Sequence, residues 1–300
     1  MNITDNLRGA LLMTGAMTAF TINDAFVKSL SGELPLFQLI FLRGLAVTAF
    51  LALYAAWLGQ LRRDVPRREW KLMSLRALFE VGAAFFFLYA LFNMPLANVS
   101  AILQALPLTV SLGAALILGE PLGWRRMTAI AIGFVGVMLI VRPGGSDFNV
   151  YSLAALTSVL FVTGRDLVVR RIDRATPSIL VALVTAVFVT VGAGLASITD
   201  TWVSLSPDAA LRLAGAVVSV VFGYVLSVSA MRVGQVDVVT PFRYTSLLVA
   251  LILGAVVFGD WPRGITLLGA GIVVATGLFT IYREARTRKV PPPVIPDRLR

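Results

Sequence analysis

Long apolar runs separated by short polar breaks dominate the chain. Ten such runs can be marked, at 8–30, 36–58, 72–92, 96–118, 127–141, 150–169, 178–198, 209–231, 236–258 and 264–282. Crossing the hydrocarbon core of a bilayer takes about 20 mostly apolar residues in a helix. Nine runs meet that length; the fifth is short and is expected to extend into its flanks. Apolar residues follow one another within each run rather than alternating with polar ones, which excludes the strands of a membrane β-barrel. The breaks are brief and carry turn residues, as in Gly119-Glu120-Pro121, Arg142-Pro143-Gly144-Gly145 and Gly259-Asp260-Trp261-Pro262. The first run is too long for the core of a signal peptide and lacks a small-x-small cleavage site near its end, so it is expected to be retained as a span.

Composition agrees with this pattern. Of the 300 residues 58% are hydrophobic and only 14% charged. A soluble domain is typically 45–50% apolar and about 25% charged. The net charge of +10 would otherwise suggest a nucleic-acid partner. Its placement argues against one, because the cations sit in clusters between the spans. With ten spans both termini share a face. Eighteen Lys and Arg then fall at one face, among them Arg62, Arg63, Arg67, Arg68 and Lys71, and only Arg142, Arg212 and Arg263 at the other. Positive charge collects on the cytoplasmic side, so both termini are expected there, in an inner membrane. Trp57, Trp70 and Trp124 then lie at the inner interface and Trp202 and Trp261 at the outer, where indoles concentrate. The chain has no cysteine and no histidine. Thiolate chemistry, disulfides and most zinc sites are thereby excluded, and no metal or cofactor is expected. Catalytic devices of membrane enzymes commonly need those residues, so the chain is not read as an enzyme; nor are the charge rings or carbonyl motifs of a channel visible.

The two halves repeat each other. A shift of 142 superposes Thr21, Asp24, Val27, Lys28 and Pro35 on Thr163, Asp166, Val169, Arg170 and Pro177. A shift of 140 superposes Val99, Leu108, Ala115 and Gly119-Glu120 on Val239, Leu248, Ala255 and Gly259-Asp260. Each unit holds five spans, an odd number, so the second must enter from the opposite face. The expected fold is an all-α membrane protein of ten transmembrane helices, two inverted five-helix repeats around a central cavity. The repeats cover 1–145 and 146–283, and 284–300 forms a basic, proline-rich cytoplasmic tail near the lipid headgroups. Inverted repeats place a binding site near the midplane between the halves and support alternating access.

The two-fold five-span layout resembles the drug/metabolite transporter superfamily with its paired EamA domains. So do Phe41-Leu42-Arg43, Tyr89-Ala90-Leu91 and the tract from Ala97 to Pro143. The likeness extends over residues 8–282, and bacterial exporters of aromatic and other amino acids are the nearest functional analogy. The resemblance implies a carrier whose cavity is lined by spans three, four, eight and nine. Its partners would be a small-molecule substrate and the lipid bilayer, with a monomer as the working unit; a vitamin or nucleoside-like metabolite is the alternative cargo. One departure stands out: span seven has no arginine matching Arg43 and no charge at all.

Charged and polar residues inside the spans are the candidate machinery. A charge at the bilayer centre costs at least about 2.5–3.5 kcal/mol, so each needs a partner or a wet cavity. By distance from the span ends, Asp24, Arg43 and Gln104 fall in the outer half, and Glu80, Arg165, Asp166 and Arg243 in the inner half. Two polar layers around an apolar middle are therefore expected, with Asp24 related to Asp166 and Gln104 to Tyr244. The tyrosines Tyr89, Tyr224 and Tyr244 carry hydroxyls that want partners. Lys28 and Arg76 lie close enough to an interface to snorkel. Bases outnumber acids inside the spans, which suits a carboxylate ligand held by arginine, with Glu80 left for an ammonium group or a proton. Asp24 and Asp166 are each followed four positions on by a base, Lys28 and Arg170, as paired latches would be. Reporter fusions test the topology: those after Gly119 and at the C-terminus should read as cytoplasmic, and one at Ser206 as periplasmic. A periplasmic C-terminus would overturn the ten-span count.

Overall fold

In a computed structural model the protein is described over residues 3–62, 65–120, 122–142, 149–173 and 175–288. The proline-rich tail from 289 onward, and the junction at 145–146 between the expected repeats, lie outside the described residues. Twelve α-helices occur among the described residues: α1 (Ile3–Ser29), α2 (Leu36–Trp57), α3 (Arg67–Asn93), α4 (Leu96–Leu103), α5 (Leu106–Leu118), α6 (Trp124–Val141), α7 (Tyr151–Val169), α8 (Ser178–Ala196), α9 (Pro207–Val233), α10 (Val236–Val239), α11 (Thr245–Phe258) and α12 (Gly264–Arg288). They compose ten spans long and apolar enough to cross a membrane. Span four is α4 followed by α5, and span nine is α10 and α11 joined by a 3-10 turn, Thr240–Tyr244. The fifth span begins at Trp124, a turn earlier than its apolar run suggests.

The two broken spans depart from the continuous helices that hydropathy suggests. Pro107 in the first turn of α5 and Pro241 inside the 3-10 turn supply the reason. Proline has no N–H to complete the helical ladder and its ring crowds the preceding turn. Irregular backbone at membrane depth is tolerated only where protein or a water-filled cavity surrounds it. Both breaks meet this condition, since Gln104 and Tyr244 are buried. The two residues are also the pair that a shift of 140 superposes.

Both broken spans end alike. Gly119 and Gly259 stand at φ +71° and +68°, a left-handed conformation that a side chain would strain. The following Glu120 and Asp260 N–H groups reach back to the carbonyls of Ala114 and Gly254, at 3.2 and 2.8 Å. These bonds fold the chain back over the last turn and satisfy a carbonyl that the helix end would leave bare. The repeated Gly-acid dipeptide is therefore a helix stop.

Helix pairing follows the repeat. Packing of α1 on α9 corresponds to packing of α7 on α3, and packing of α1 on α11 to that of α7 on α5. The pairs α2–α8, α6–α12 and α4–α11 each join a span to its own counterpart. Thr48 and Thr190, equivalent positions 142 apart, share a hydrogen bond at 3.0 Å, and Gln104 bonds Ser246, two residues past its own counterpart Tyr244, at 3.0 Å. Contacts between counterpart positions are what a two-fold relation between the halves would bring about. The contacting faces interlock by rings in glycine notches. Phe20 on α1 covers Gly223 on α9, and Phe161 on α7 covers Gly82 on α3. Large apolar residues such as Leu53, Leu116, Leu160 and Val256 project outward instead, the surface expected of a body solvated by lipid.

The notch at Gly223 sets a stability test. A Cβ there would meet the Phe20 ring at 2.6 Å, so Gly223→Val overpacks the joint and should cost about 1–3 kcal/mol. Thermal unfolding in detergent measures the loss. Adding Phe20→Ala should recover part of it, and strictly additive losses would refute the ring-in-notch contact.

Candidate functional site

Six spans bring charged residues together. Asp24 comes from α1, Arg43 from α2, and Arg76 and Glu80 from α3. Arg165 and Asp166 come from α7, Tyr224 from α9, and Arg243 from the 3-10 turn before α11. Glu80 lies halfway along α3, because that helix starts at Arg67, well before the apolar run.

Arg165 is the centre of the cluster. Its Nη1 donates to Glu80 Oε2 at 2.8 Å and its Nε donates to Asp166 Oδ1 at 2.9 Å. One guanidinium thus holds two carboxylates, with side chains exposed by 20% (Glu80), 20% (Arg165) and 32% (Asp166). The three side chains are therefore only partly covered by their neighbours. Charge-assisted bonds of this kind are stronger than neutral ones.

Asp24 has a different surrounding. Its Oδ1 accepts from Asn23 Nδ2 at 2.8 Å, and Asn23 Oδ1 accepts from Arg43 Nη1 at 3.2 Å. Asp24 and Arg43 lie within electrostatic range but form no ion pair inside 4.0 Å. Arg43 is in range of Glu80 and Tyr224 as well. Tyr224 in turn feels Glu80, Arg165, Arg43 and Arg76, and its ring meets Phe20 edge-on at 5.3 Å. The apolar middle expected between two polar layers is therefore absent. Glu80 at mid-span and Tyr224 join the layers into one field.

Arg76 also departs from expectation. Rather than snorkelling, it turns inward to hydrogen-bond the Thr185 hydroxyl on α8, within range of Glu80, Arg165 and Asp166. Thr185 stands 142 positions after Arg43. The second half thus has a guanidinium near the place that matches Arg43, supplied by a neighbouring helix. Lys28 does not pair with Asp24: it donates to the carbonyls of Leu91 and Met94 at 3.2 and 2.8 Å and lies 5.5 Å from the Phe258 ring centre. Nor does Arg170 pair with Asp166, since it binds Glu120 at 2.7 Å. The expected four-residue latches are replaced by contacts to neighbouring helix ends: Lys28 to the end of α3 and the Phe258 ring of span nine, and Arg170 to the end of span four. Helix geometry explains the change, because the longer reach is to the neighbouring helix end and Asp166 is already taken by Arg165.

The remaining candidates divide. Arg243 is in range of Asp166 and Arg165 but has no carboxylate inside 4.0 Å among the described residues. Gln104 belongs to the seam between the broken spans through Ser246. Tyr244 packs against α12 with its hydroxyl directly on Gly277 and no hydrogen-bond partner. Tyr89 sits apart from the charges in an aromatic row, stacked 5.9 Å from Phe85 and 5.4 Å from Tyr151 edge-on, with Phe37 stacked on Phe85 at 5.4 Å. Asn23 and Thr185 escape a reading based on charge. The signal that could have found Asn23 is its alignment with Arg165, next to the aligned aspartates. No group of metal ligands occurs among the described residues.

The profile of the EamA-like transporter family matches the chain twice, over residues 7–142 and 149–282. The chain belongs to that family. It is a membrane transporter and not an enzyme, built from two repeats of the family unit. Its relatives include a riboflavin transporter of Vibrio cholerae, 28% identical over 93% of this chain and 95% of that one. An S-adenosylmethionine uptake transporter of Rickettsia prowazekii is 24% identical over 94% and 95%. The pseudopaline exporter CntI of Pseudomonas aeruginosa is 24% identical over 93% and 97%. A crystal structure at 22% identity superposes with a TM-score of 0.64 over 94% of this chain and 99% of the other, which shows a shared fold.

The ion-pair network sets a second test. Removing Glu80 leaves part of the Arg165 charge without its counter-ion, and breaking a buried pair in this way costs about 3–5 kcal/mol. Partial exposure screens the pair, so Glu80→Gln should lower stability by less than that range. Adding Arg165→Gln should restore much of the loss. Unfolding midpoints of the two single variants and the double complete the cycle, and a double variant as unstable as the summed singles would show the residues to be uncoupled.

Proposed function

We propose that the protein is an alternating-access carrier for a small carboxylate-bearing metabolite, bound at mid-membrane between the two repeats. The observation that carries this reading is the pair of guanidiniums, Arg43 and Arg243, that sit within the spans with no carboxylate inside 4.0 Å among the described residues. A cation at this depth is costly without a partner. A planar guanidinium is suited to bind a carboxylate through two parallel hydrogen bonds. With Arg76 and Arg165 there are four guanidiniums around three carboxylates, a surplus that favours an anionic group on the cargo. The site residues are then Arg43, Glu80, Arg243, Tyr224, Asp24 and Asp166 around a central cavity. Gln104 and Tyr244 act at the helix breaks and Tyr89 on the aromatic side.

Amino-acid export is the first reading of cargo and direction. The names of two relatives, a riboflavin transporter and an S-adenosylmethionine uptake transporter, favour a second, uptake of a vitamin or nucleoside-like metabolite. The aromatic row of Phe37, Phe85, Tyr89 and Tyr151 suits a cargo with a planar ring in either case. The carrier works as a monomer in an inner membrane, with small molecules and lipid as partners and no nucleic acid. Both termini are cytoplasmic, with repeats at 1–145 and 146–283, mutually inverted, and a cytoplasmic tail at 284–300.

Counterflow in proteoliposomes against amino acids, nucleosides and vitamins tests the reading. Saturable exchange of a carboxylate-bearing compound is expected, and unsaturable conduction would indicate a channel instead. Arg43→Ala should abolish transport while the protein still folds and inserts, and Arg43→Lys should restore only part of it, because a point charge cannot replace the planar fork. Full activity in the alanine variant would remove Arg43 from the mechanism.

A further inference from the structure

The halves present the same polar motif with one exchange. Asn23-Asp24 on α1 and Arg165-Asp166 on α7 stand 142 positions apart. In each, the first residue donates to Oδ1 of the aspartate, Asn23 at 2.8 Å and Arg165 at 2.9 Å. In each, that same residue also engages a charge on a neighbouring helix. Arg165 donates to the Glu80 carboxylate at 2.8 Å, whereas Asn23 accepts from the Arg43 guanidinium at 3.2 Å.

The consequence is electrostatic. In the second half a cation stands between two carboxylates and neutralises both in part. In the first half a neutral amide occupies the corresponding place. Among the described residues Asp24 therefore has no cation inside 4.0 Å, and Arg43 no anion. The nearest base along α1, Lys28, is committed to the Leu91 and Met94 carbonyls. Asn23 can donate with its NH₂ and accept with its oxygen at the same time, so it holds both charged groups in place without satisfying either. A carboxylate and a guanidinium are kept side by side and apart.

We infer that this pair receives the two charges of a zwitterion: Arg43 takes the carboxylate of the transported molecule and Asp24 takes its primary ammonium. The inference rests on the carrier reading above and narrows its cargo to compounds that keep an α-amino carboxylate. Asp24 is the ammonium partner rather than Glu80, because Arg165 already holds Glu80. The second half shows the kind of group that fits beside such an aspartate, since a side-chain cation occupies that place there. Asn23 is a positioning residue.

Binding to the purified full-length protein in detergent tests this, read as a shift in unfolding temperature. The probes are the twenty amino acids, S-adenosylmethionine and riboflavin, in sodium and in choline buffers. Each compound that binds is compared with its des-amino and decarboxylated analogues, such as 3-phenylpropionate and phenethylamine for phenylalanine. At least one α-amino carboxylate should bind, with its des-amino analogue at least about tenfold weaker, a difference of about 1.4 kcal/mol. Asp24→Asn should remove that preference, weakening the amino compound about tenfold and leaving the des-amino analogue unchanged or tighter; Asp24→Glu should restore part of it. Asn23→Arg supplies a test from the opposite direction. It installs the second half's cation beside Asp24, so it should abolish binding of the amino compound.

Three results would overturn the inference: no α-amino carboxylate binds, Asp24→Asn and Asn23→Arg bind the amino compound as wild type does, or stabilisation follows sodium alone. Saturable counterflow of riboflavin or a des-amino acid would then leave the carrier intact with a different cargo. Absence of saturable flux for every compound would remove the carrier reading itself.

Discussion

Hydrocarbon does not solvate charge or bare peptide groups, and that constraint shapes every part of this protein. Each backbone group must find a partner inside the protein, which leaves helices as the spanning elements here. Each ionised side chain must find a counter-ion, a hydrogen-bonding shell or an interior space open to water. Arg165 meets the demand with two carboxylates. Lys28 meets it with two carbonyls at the end of α3. Arg43 has a single amide oxygen. The least satisfied charges lie together, between the helices that the repeat brings into contact.

The two-fold relation explains how a chain of this composition builds such an interior. Span one packs on span eight as span six packs on span three, and glycine notches let Phe20 and Phe161 seat in equivalent joints. A neutral contact joins equivalent positions at Thr48–Thr190, and Gln104 bonds Ser246 beside its own counterpart. Charged contacts are kept in position but changed in sign or type. At one end Arg212 on α9 binds the Ser29 carbonyl and Glu33 in the link from α1 to α2. At the other, Glu69 on α3 accepts from the Asp173 N–H at 3.0 Å in the link from α7 to α8. Helix ends are tied to neighbouring links in both halves, with an arginine in one and a glutamate in the other. Such ties give the two ends of the bundle different chemistry on a shared frame.

The broken spans sit where this frame is most useful. Gln104 and Tyr244 mark the interruptions, and the Arg243 guanidinium projects from the second of them. Interrupted helices free backbone groups in the middle of a membrane protein, which is why transporters place binding sites there. Ser246 ties the two breaks together, donating to the Arg243 carbonyl while accepting from Gln104. The charged cluster and the breaks are thus parts of one central region.

Much of this was legible in the residues. Apolar run length depends only on local composition, so ten spans, their approximate limits and the membrane class follow from the chain read alone. The Gly-acid stops at 119–120 and 259–260 and the aligned aspartates at 24 and 166 expose the repeat, because local backbone demands leave local marks. Partner choice is another matter. Which carboxylate Arg165 holds, why Lys28 and Arg170 bypass the aspartates one turn away, and how Arg76 reaches Thr185 beside the empty position of span seven depend on neighbouring helices far away in sequence. Long flexible side chains can satisfy their charge in several directions, and only the packed neighbours select one. The sequence by itself determined ten lipid-spanning segments in two repeated units; the tertiary structure decided which charges find a counter-ion and which do not, because that balance is set between helices rather than along them.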